Sequence, residues 1–460
     1  VKRNNLVDKY TLETIFQTKQ TISLLLAEGI TNIDNMGSLF RNAAAFGVDG
    51  VLLNETCCDP LYRKSIRVSM GHVFSIPWLM LEDWRGVIQQ LKESYGVQMI
   101  GLETSWICWS DDDGETWMGN PHDSGTTPLN DHIKLASGPW TDSGYGALGQ
   151  FTSGFYETAV YYCYNKIAGI FCFTSFDGGA TFETGGQIIG LATTNGGLHG
   201  AISTAPDGTV YVTPRVATPT VIVSKDNGFS WFERNMGVDV NTPNPRKNSE
   251  VSTDSESNAY HIWTGADEGV YMSRSIDSGE SWEQESIRIS PEGVISTVFP
   301  QTDAGDPGRI AITYLGSENA EMLNESDIDG NPWNGNAHYA TTNVSHHLYV
   351  TYSLNALDEN PIFYTQKLTT DPVQVGSICL NSGDCRSNEG GSNRNLLDFN
   401  DLHIDLDGRV YIAFADGCTG TCASGEDTSS SNSRDRLGSV YYLEAGPSLY
   451  ESEFDLIPLV

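Results

Sequence analysis

Two hydrophobic rhythms divide this chain. Up to about residue 103, apolar residues fall in short unbroken runs separated by stretches of helical period. TISLLLAEGI (21–30), VDGVLLN (48–54) and VQMIGLE (97–103) predict buried strands. MGSLFRNAAAFG (36–47) predicts a helix that Gly47 ends, and DWRGVIQQLKESYG (83–96) predicts another. Between them DPLYRKSIRVSMGHVF (59–74) opens a third, with Asp59 as its N-cap and Pro60 in its first turn. Strands alternating with helices imply a small parallel sheet. Beyond residue 103 the period shortens to two and aromatic residues become frequent, as in GIFCFTS (169–175) and GVYMSRS (269–275), which predicts antiparallel strands.

The second rhythm is punctuated by one pattern, Ser-x-Asp-x-Gly-x-(Thr/Ser)-(Trp/Phe), at 110–117, 175–182, 224–231 and 275–282. Its fixed positions are Ser110, Asp112, Gly114 and Trp117; Ser175, Asp177, Gly179 and Phe182; Ser224, Asp226, Gly228 and Trp231; and Ser275, Asp277, Gly279 and Trp282. Asp accepts hydrogen bonds from nearby backbone N–H groups, Gly takes a positive φ, and the aromatic is expected to bury itself between sheets. Recurrence about every fifty residues is the mark of a propeller. Hairpins are predicted at 199–214, 258–265, 308–317, 347–366 and 402–417. SLNALDENPIF (353–363) reads as a decayed fifth box, and GSVYYLEAG (438–446) as an outer strand of the last blade. The expected fold is mainly β, a six-bladed propeller over residues 104–460 whose first blade is incomplete, preceded by a small α/β parallel-sheet half-domain over 1–103.

The boxes resemble the Asp-box, or BNR, repeats of sialidase-like β-propellers, in which the box is a structural turn away from the active face. PLNDHIKLASGPW (128–140), YETAVYYCYNKIAGIFCFTS (156–175), GSICLNSGDC (376–385) and NRNLLDFNDLHIDLDGRVYIAFAD (393–416) resemble secreted sialidase-like proteins. That resemblance implies a secreted glycan-directed hydrolase or a glycan-binding relative, with a glycan or glycoconjugate as partner; the alternative is a non-enzymatic adhesion or scaffold propeller. NIDNMGSLFRNAAAFGVDGVLL (32–53) and CCDPLYRKSIRVSMGHVFSIPW (57–78) resemble the SpoU/TrmH class of RNA 2′-O-ribose methyltransferases, of cytoplasmic type. The resemblance places Asn35 and Arg41 in that family's first motif and leaves Arg63, Lys64 and Arg67 either as RNA-phosphate contacts or as a plain helix surface. The family's S-adenosylmethionine segments, a Gly-x-Glu-Gly stretch and a later Asn-rich helix, have no counterpart, because the chain passes at residue 103 into propeller sequence. No cofactor and no methyl transfer are therefore expected; S-adenosylmethionine would bind only if the N-terminal piece were functional. The whole reads as a chimera.

Charge sharpens the division. The chain has 460 residues and a net charge of −33. Residues 1–103 hold 10 basic and 11 acidic residues against 16 and 48 in the remainder. Such acidity repels nucleic acid and anionic membranes from the propeller. No run of 18 apolar residues suggests a membrane span. Cys163 with Cys172, Cys379 with Cys385 and Cys418 with Cys422 are expected to form disulfides, as in an oxidising compartment, whereas Cys57 and Cys58 are expected to stay reduced. No metal site is expected, and DIDGNP (327–332) reads as a polar turn in preference to a calcium loop.

A sialidase needs three arginines to clamp the substrate carboxylate, and no spacing here identifies them. Arg215, Arg246 and Arg394 fall in loops, Arg309 and Arg409 in hairpins, and Arg234 and Arg274 beside boxes, where they are expected at the surface. The candidate catalytic residues are polar groups where inner strands should begin, facing the propeller axis: Asp131, His132, His199, Glu250 and Asp398 with Asp401, together with Arg215 from its loop. Such a cluster suits acid–base hydrolysis or the binding of a cation; the alternative is that these groups bond backbone at strand ends.

Overall fold

The computed structural model describes residues 24–27, 29–45, 48–81, 83, 86–87, 91, 106–109, 118–123, 131–141, 158–166, 169–179, 181–182, 184–190, 199–216, 218–236, 249–380, 387–388, 391–393, 396, 400–424, 437–451 and 456. The chain divides into two compact units, Val1–Ile100 and Gly101–Val460.

In the first unit β1 (Leu24–Ala27), β2 (Gly50–Asn54) and β3 (Trp78–Leu81) form a parallel sheet in that order. Helix α1 (Ile33–Ala45) starts where the Asn32 side chain accepts the Asn35 N–H at 3.3 Å. Its Met36, Phe40 and Ala43 pack on Val51, Leu53 and Trp78, with Phe40 edge-on to Trp78. Asp59 does not cap a helix as predicted. Its carboxylate accepts the Leu61 N–H in a separate turn, and α2 (Arg63–Val68) begins behind Tyr62. Positive φ at Met70 and Gly71 stops α2 early, and only a 3₁₀ turn, His72–Phe74, follows. The strand after it came from WLML, which the sequence reading passed over; VQMIGLE lies outside the described residues, as does most of 83–96.

The second unit is a series of antiparallel meanders. β4 (Trp106–Trp109) pairs with β5 (Met118–Asp123). One sheet holds β6 (Asp131–Pro139), β7 (Thr158–Lys166), β8 (Gly169–Ser175) and β9 (Thr184–Gly190); the next holds β10 (His199–Thr204), β11 (Val210–Pro214), β12 (Thr220–Ser224) and β13 (Phe232–Asn235). They are followed by β14 (Glu250–Thr253), β15 (Ala259–Thr264), β16 (Val270–Ser275) and β17 (Ile287–Arg288), then by β18 (Ile295–Ala304), β19 (Ile310–Ser317), β20 (Ser345–Ser353) and β21 (Tyr364–Lys367), with β22 (Gln374–Val375) also paired to β20. After a short hairpin of β23 (Ser387–Asn388) and β24 (Gly391–Ser392), the last sheet holds β25 (Asn400–Ile404), β26 (Val410–Asp416) and β27 (Leu437–Tyr442).

The first strand of each meander packs on the first strand of the next: β6 on β10, β10 on β14, β14 on β18 and β18 on β25. Hydrogen bonds set their levels. Thr204 Oγ1 donates to the Ser137 carbonyl at 2.6 Å, Thr253 Oγ1 donates to the Thr204 carbonyl at 3.2 Å, and the Ile404 N–H donates to Asp303 Oδ2 at 2.9 Å. Meanders arrayed about their first strands are propeller blades. The core lies between blades: Tyr211, Val223, Trp263 and Trp282 fill one interface, and Tyr260, Met272, Ile312 and Tyr314 the next.

Boxes two to four join the third and fourth strands of their blades and share one geometry. Ser175, Ser224 and Ser275 each donate to their Asp and accept the Gly N–H at 2.8, 2.9 and 3.0 Å. The Asp then accepts the N–H of Thr181, Ser230 or Ser281. Burial alone would raise Asp177 and Asp277, but these hydrogen bonds outweigh it and hold both carboxyls below their ordinary value. Gly228 and Gly279 have φ of 89° and 77°, and a Cβ there would meet Thr174 or Tyr211 of the preceding blade. Phe182 and Trp282 are buried and Trp231 is half-buried. The decayed box keeps the pattern with Asn: Ser353 donates to Asn355, whose Oδ1 accepts the Ile362 N–H at 2.9 Å. The first box, with Ser110, Asp112, Gly114 and Trp117, lies outside the described residues.

Trp282→Ala empties the space against Tyr211 and His261 and is expected to cost roughly 3–5 kcal/mol in chemical denaturation. His261 adds a pH dependence. It is fully buried beside Trp263, its Nε2 has no partner among the described residues, and burial pushes it down to about 3. The unfolded chain then takes up the proton first, so stability should fall as pH drops below about 6.5, by roughly 4–5 kcal/mol at pH 3. His261→Phe should flatten that limb of a stability-versus-pH curve.

Candidate functional site

The inner strands bring one layer of polar side chains to the axis. They come from four inner strands: Glu250 of β14 is met by Gln301 of β18, and Lys134 of β6 and Asp401 of β25 are near enough to act on its charge. Glu250 opens β14 and is 6% exposed; Gln301 Nε2 donates to its Oε1 at 3.2 Å. Burial is the largest influence on Glu250 and pushes its carboxyl up to about 7. Lys134 and the Gln301 hydrogen bond oppose the rise, and Asp401 adds to it. Lys134 and Asp401 are exposed. Below this layer Asp303, which burial also raises, accepts the Ile404 N–H and lies 3.3 Å from His403 Nδ1.

The inner strands are distorted at this end. Ladder register shifts between Asp131 and Lys134 in β6, between His199 and Ile202 in β10, and twice between Ile295 and Gln301 in β18. Ser296 and Phe299 hold positive φ of 57° and 54° there. Bulges of this kind re-aim side chains and cluster beside functional sites.

Of the candidates, Asp131, His199 and Glu250 are the first residues of inner strands, and His132 follows Asp131. The side chains of Asp131, His132 and His199 lie outside the described residues, as do Asp398, Arg246 and Arg394 entirely. Arg215 is half-buried just past β11. Arg274, expected at the surface, is buried instead, paired with Glu283 at 2.7 Å and donating to the carbonyls of Ala356 and Asp358 in the next blade. Arg309 donates to the Ser448 carbonyl, and Arg409, buried, donates to those of Leu443 and Glu444. Arg288, overlooked in the sequence, is held by Asp267 and Tyr271. Among the described residues no arginine clamp forms. The reading also missed Lys134 and Gln301, whose roles depend on strand level; the alternation of DHIKLASGP gave only that Lys134 sits four residues into a strand.

Cys163–Cys172 and Cys418–Cys422 are disulfides, with Cα atoms 4.1 and 5.1 Å apart. Cys385 lies outside the described residues, while Cys57 and Cys58 are free. Asp327 accepts the N–H groups of Asp329 and Asn331, a polar turn. Among the described residues no cluster of His, Cys, Asp and Glu is arranged to hold a metal ion, and no helix is long and apolar enough to cross a membrane.

In the first unit Asn35 and Arg41 are exposed on α1, and Arg63 and Lys64 on α2 with Arg67. Its interior is filled by apolar side chains, and no buried polar side-chain atom among its described residues lacks a partner. These residues offer no cradle for S-adenosylmethionine.

Residues 23–111 match the model of the SpoU rRNA methylase family. An uncharacterised tRNA/rRNA methyltransferase of Mycobacterium tuberculosis is 45% identical over 83 residues, 18% of this chain and 28% of that protein. The chain thus spans well under half the length of such relatives. Among solved structures, an α-L-arabinanase of Penicillium chrysogenum bound to arabinobiose aligns over 53% of this chain and 62% of its own at 11% identity (TM-score 0.31), and an intramolecular trans-sialidase of Ruminococcus gnavus over 56% and 46% at 11% identity (TM-score 0.30).

Glu250 carries a stability signature. The folded state keeps its proton after the unfolded chain has lost it, so stability should fall as pH rises from about 4.5 through 7, by roughly 3 kcal/mol in all. Glu250→Gln has no proton to lose. Its stability relative to wild type should rise over that window and level off above it, in urea denaturation at stepped pH.

Proposed function

We propose that the second unit is a glycan-directed hydrolase working at the axial end of its inner strands. The observation that supports this most is Glu250, a carboxyl buried on the axis and kept protonated to about neutral pH, in one layer with the exposed carboxylate of Asp401. Glycoside hydrolysis uses two carboxyl groups in different roles: an acid that protonates the leaving oxygen and a partner that acts as base or nucleophile. Glu250 takes the first role and Asp401 the second. Gln301 orients Glu250, and Lys134 offsets part of the acidic charge around it. Neutral sugars are the proposed substrate class, in preference to sialic acid, since Arg274, Arg309 and Arg409 each donate to backbone carbonyls. The two disulfides support an oxidising compartment outside the cytosol. For the first unit we propose no methyl transfer.

The test is release of reducing ends from a panel of neutral oligosaccharides. Glu250→Gln should lower kcat by about 10²–10⁴-fold, and kcat/KM of the wild type should decline as pH rises through about 7. Undiminished turnover by Glu250→Gln would reject the acid assignment. Saturable binding without turnover by wild type would select the adhesion module instead.

A further inference from the structure

We infer that Asn165 and Asn400 are ligand contacts at the axial end of the second unit, reading the hydroxyl groups of a neutral sugar. This rests on the glycan reading and extends it to specificity. Asn165 is 3% exposed and Asn400 9%. Neither amide atom of Asn165, and not the Nδ2 of Asn400, has a hydrogen-bond partner among the described residues. A buried amide left unpaired loses its water and regains nothing, so a fold that keeps two of them against that cost needs a reason for both.

Their places supply one. Asn165 of β7 sits opposite Asp131, the first residue of inner strand β6. Asn400 is the first residue of inner strand β25 and precedes Asp401. Both therefore lie at the end of the blades where Glu250 opens β14. Unpaired atoms at the tips of aromatic rings differ in kind. Tyr211 Oη, Trp282 Nε1 and His261 Nε2 are tips of aromatic rings whose bodies pack between blades, so packing alone accounts for those residues. An asparagine has almost no apolar body, and a leucine would fill either site better. Amides present a donor and an acceptor side by side, the complement of a hydroxyl that both accepts and donates. An anionic ligand would call for donors alone.

The experiment compares Asn165→Leu and Asn400→Leu with wild type, with Asn165→Ala and Asn400→Ala as a second pair. Stability is measured by urea denaturation, and binding by titration calorimetry with linear gluco-, xylo-, arabino- and N-acetylglucosamine hexasaccharides. The inference predicts that the leucine variants are at least as stable as wild type and bind the preferred hexasaccharide tenfold or more weakly, and that the alanine variants weaken binding equally. Wild-type affinity in all four variants would overturn it and leave the hydrolase standing. Weakened binding alongside undiminished turnover by Glu250→Gln would uphold it and sink the acid assignment. Loss of stability in both leucine variants would show the amides to be paired within the fold and overturn it, as would wild type binding none of the four sugars.

Discussion

In the second unit the turns that follow β12, β16 and β20 each fasten their blade to the one before it, and Asn227 shows how. It is fully buried, held at φ 56° between Asp226 and Gly228. Its Oδ1 accepts from the backbone and hydroxyl of Thr141, its Nδ2 donates to Tyr161 Oη at 2.8 Å, and its carbonyl accepts from Thr174 Oγ1 at 2.9 Å. Thr141, Tyr161 and Thr174 all belong to the preceding blade. The box therefore folds its own turn through Ser224 and Asp226 and spends the residue between Asp and Gly on its neighbour. In the next blade Ser278 fills that place, also at positive φ, and donates to Asp207. Arg274 makes a second fastening of the same kind, from β16 to the decayed box that follows β20. Cohesion secured at the periphery relieves the axis of the task.

That division of labour explains why the axis tolerates what a core does not. Bulged strands, two non-glycine residues at positive φ, a carboxyl raised to about 7, and the buried Asn165 amide and Asn400 Nδ2 without partners among the described residues all lie towards the end of the blades where the inner strands begin. Each opposes folding, and their gathering at one place is the physical reason to read that place as a site. The proton-linked effects of His261 and Glu250 run in opposite directions, so stability is squeezed from both sides of mildly acidic pH.

Much of the periphery was legible in the sequence because its chemistry is local. Ser, Asp and Gly within five residues determine the turn, and three boxes and the Asn355 variant fold as their residue types dictate. Glu250 was legible as the start of an inner strand, though not its elevated carboxyl, which depends on burial. Lys134 and Gln301 were not, because they reach Glu250 only when separate inner strands are set side by side, and Asn165 and Asn400 were not, because their burial depends on the fold. Arg274 was misplaced for a related reason: beside an exposed box it looked superficial, whereas carbonyls more than 80 residues away enclose it. In the first unit, apolar runs gave β1 and β2, but a left-handed Met70–Gly71 step split the predicted second helix.

The central claim is that the axis is a chemical site and not merely a seam between blades. Its most direct test is the titration of the Glu250 carboxyl itself, followed by carbon NMR in protein labelled at glutamate side chains, with Glu250→Gln to assign the signal. The account predicts a midpoint near 7. A midpoint at the ordinary glutamate value, near 4.5, would mean that water reaches the carboxyl freely, and the case for an acid at the axis would fail.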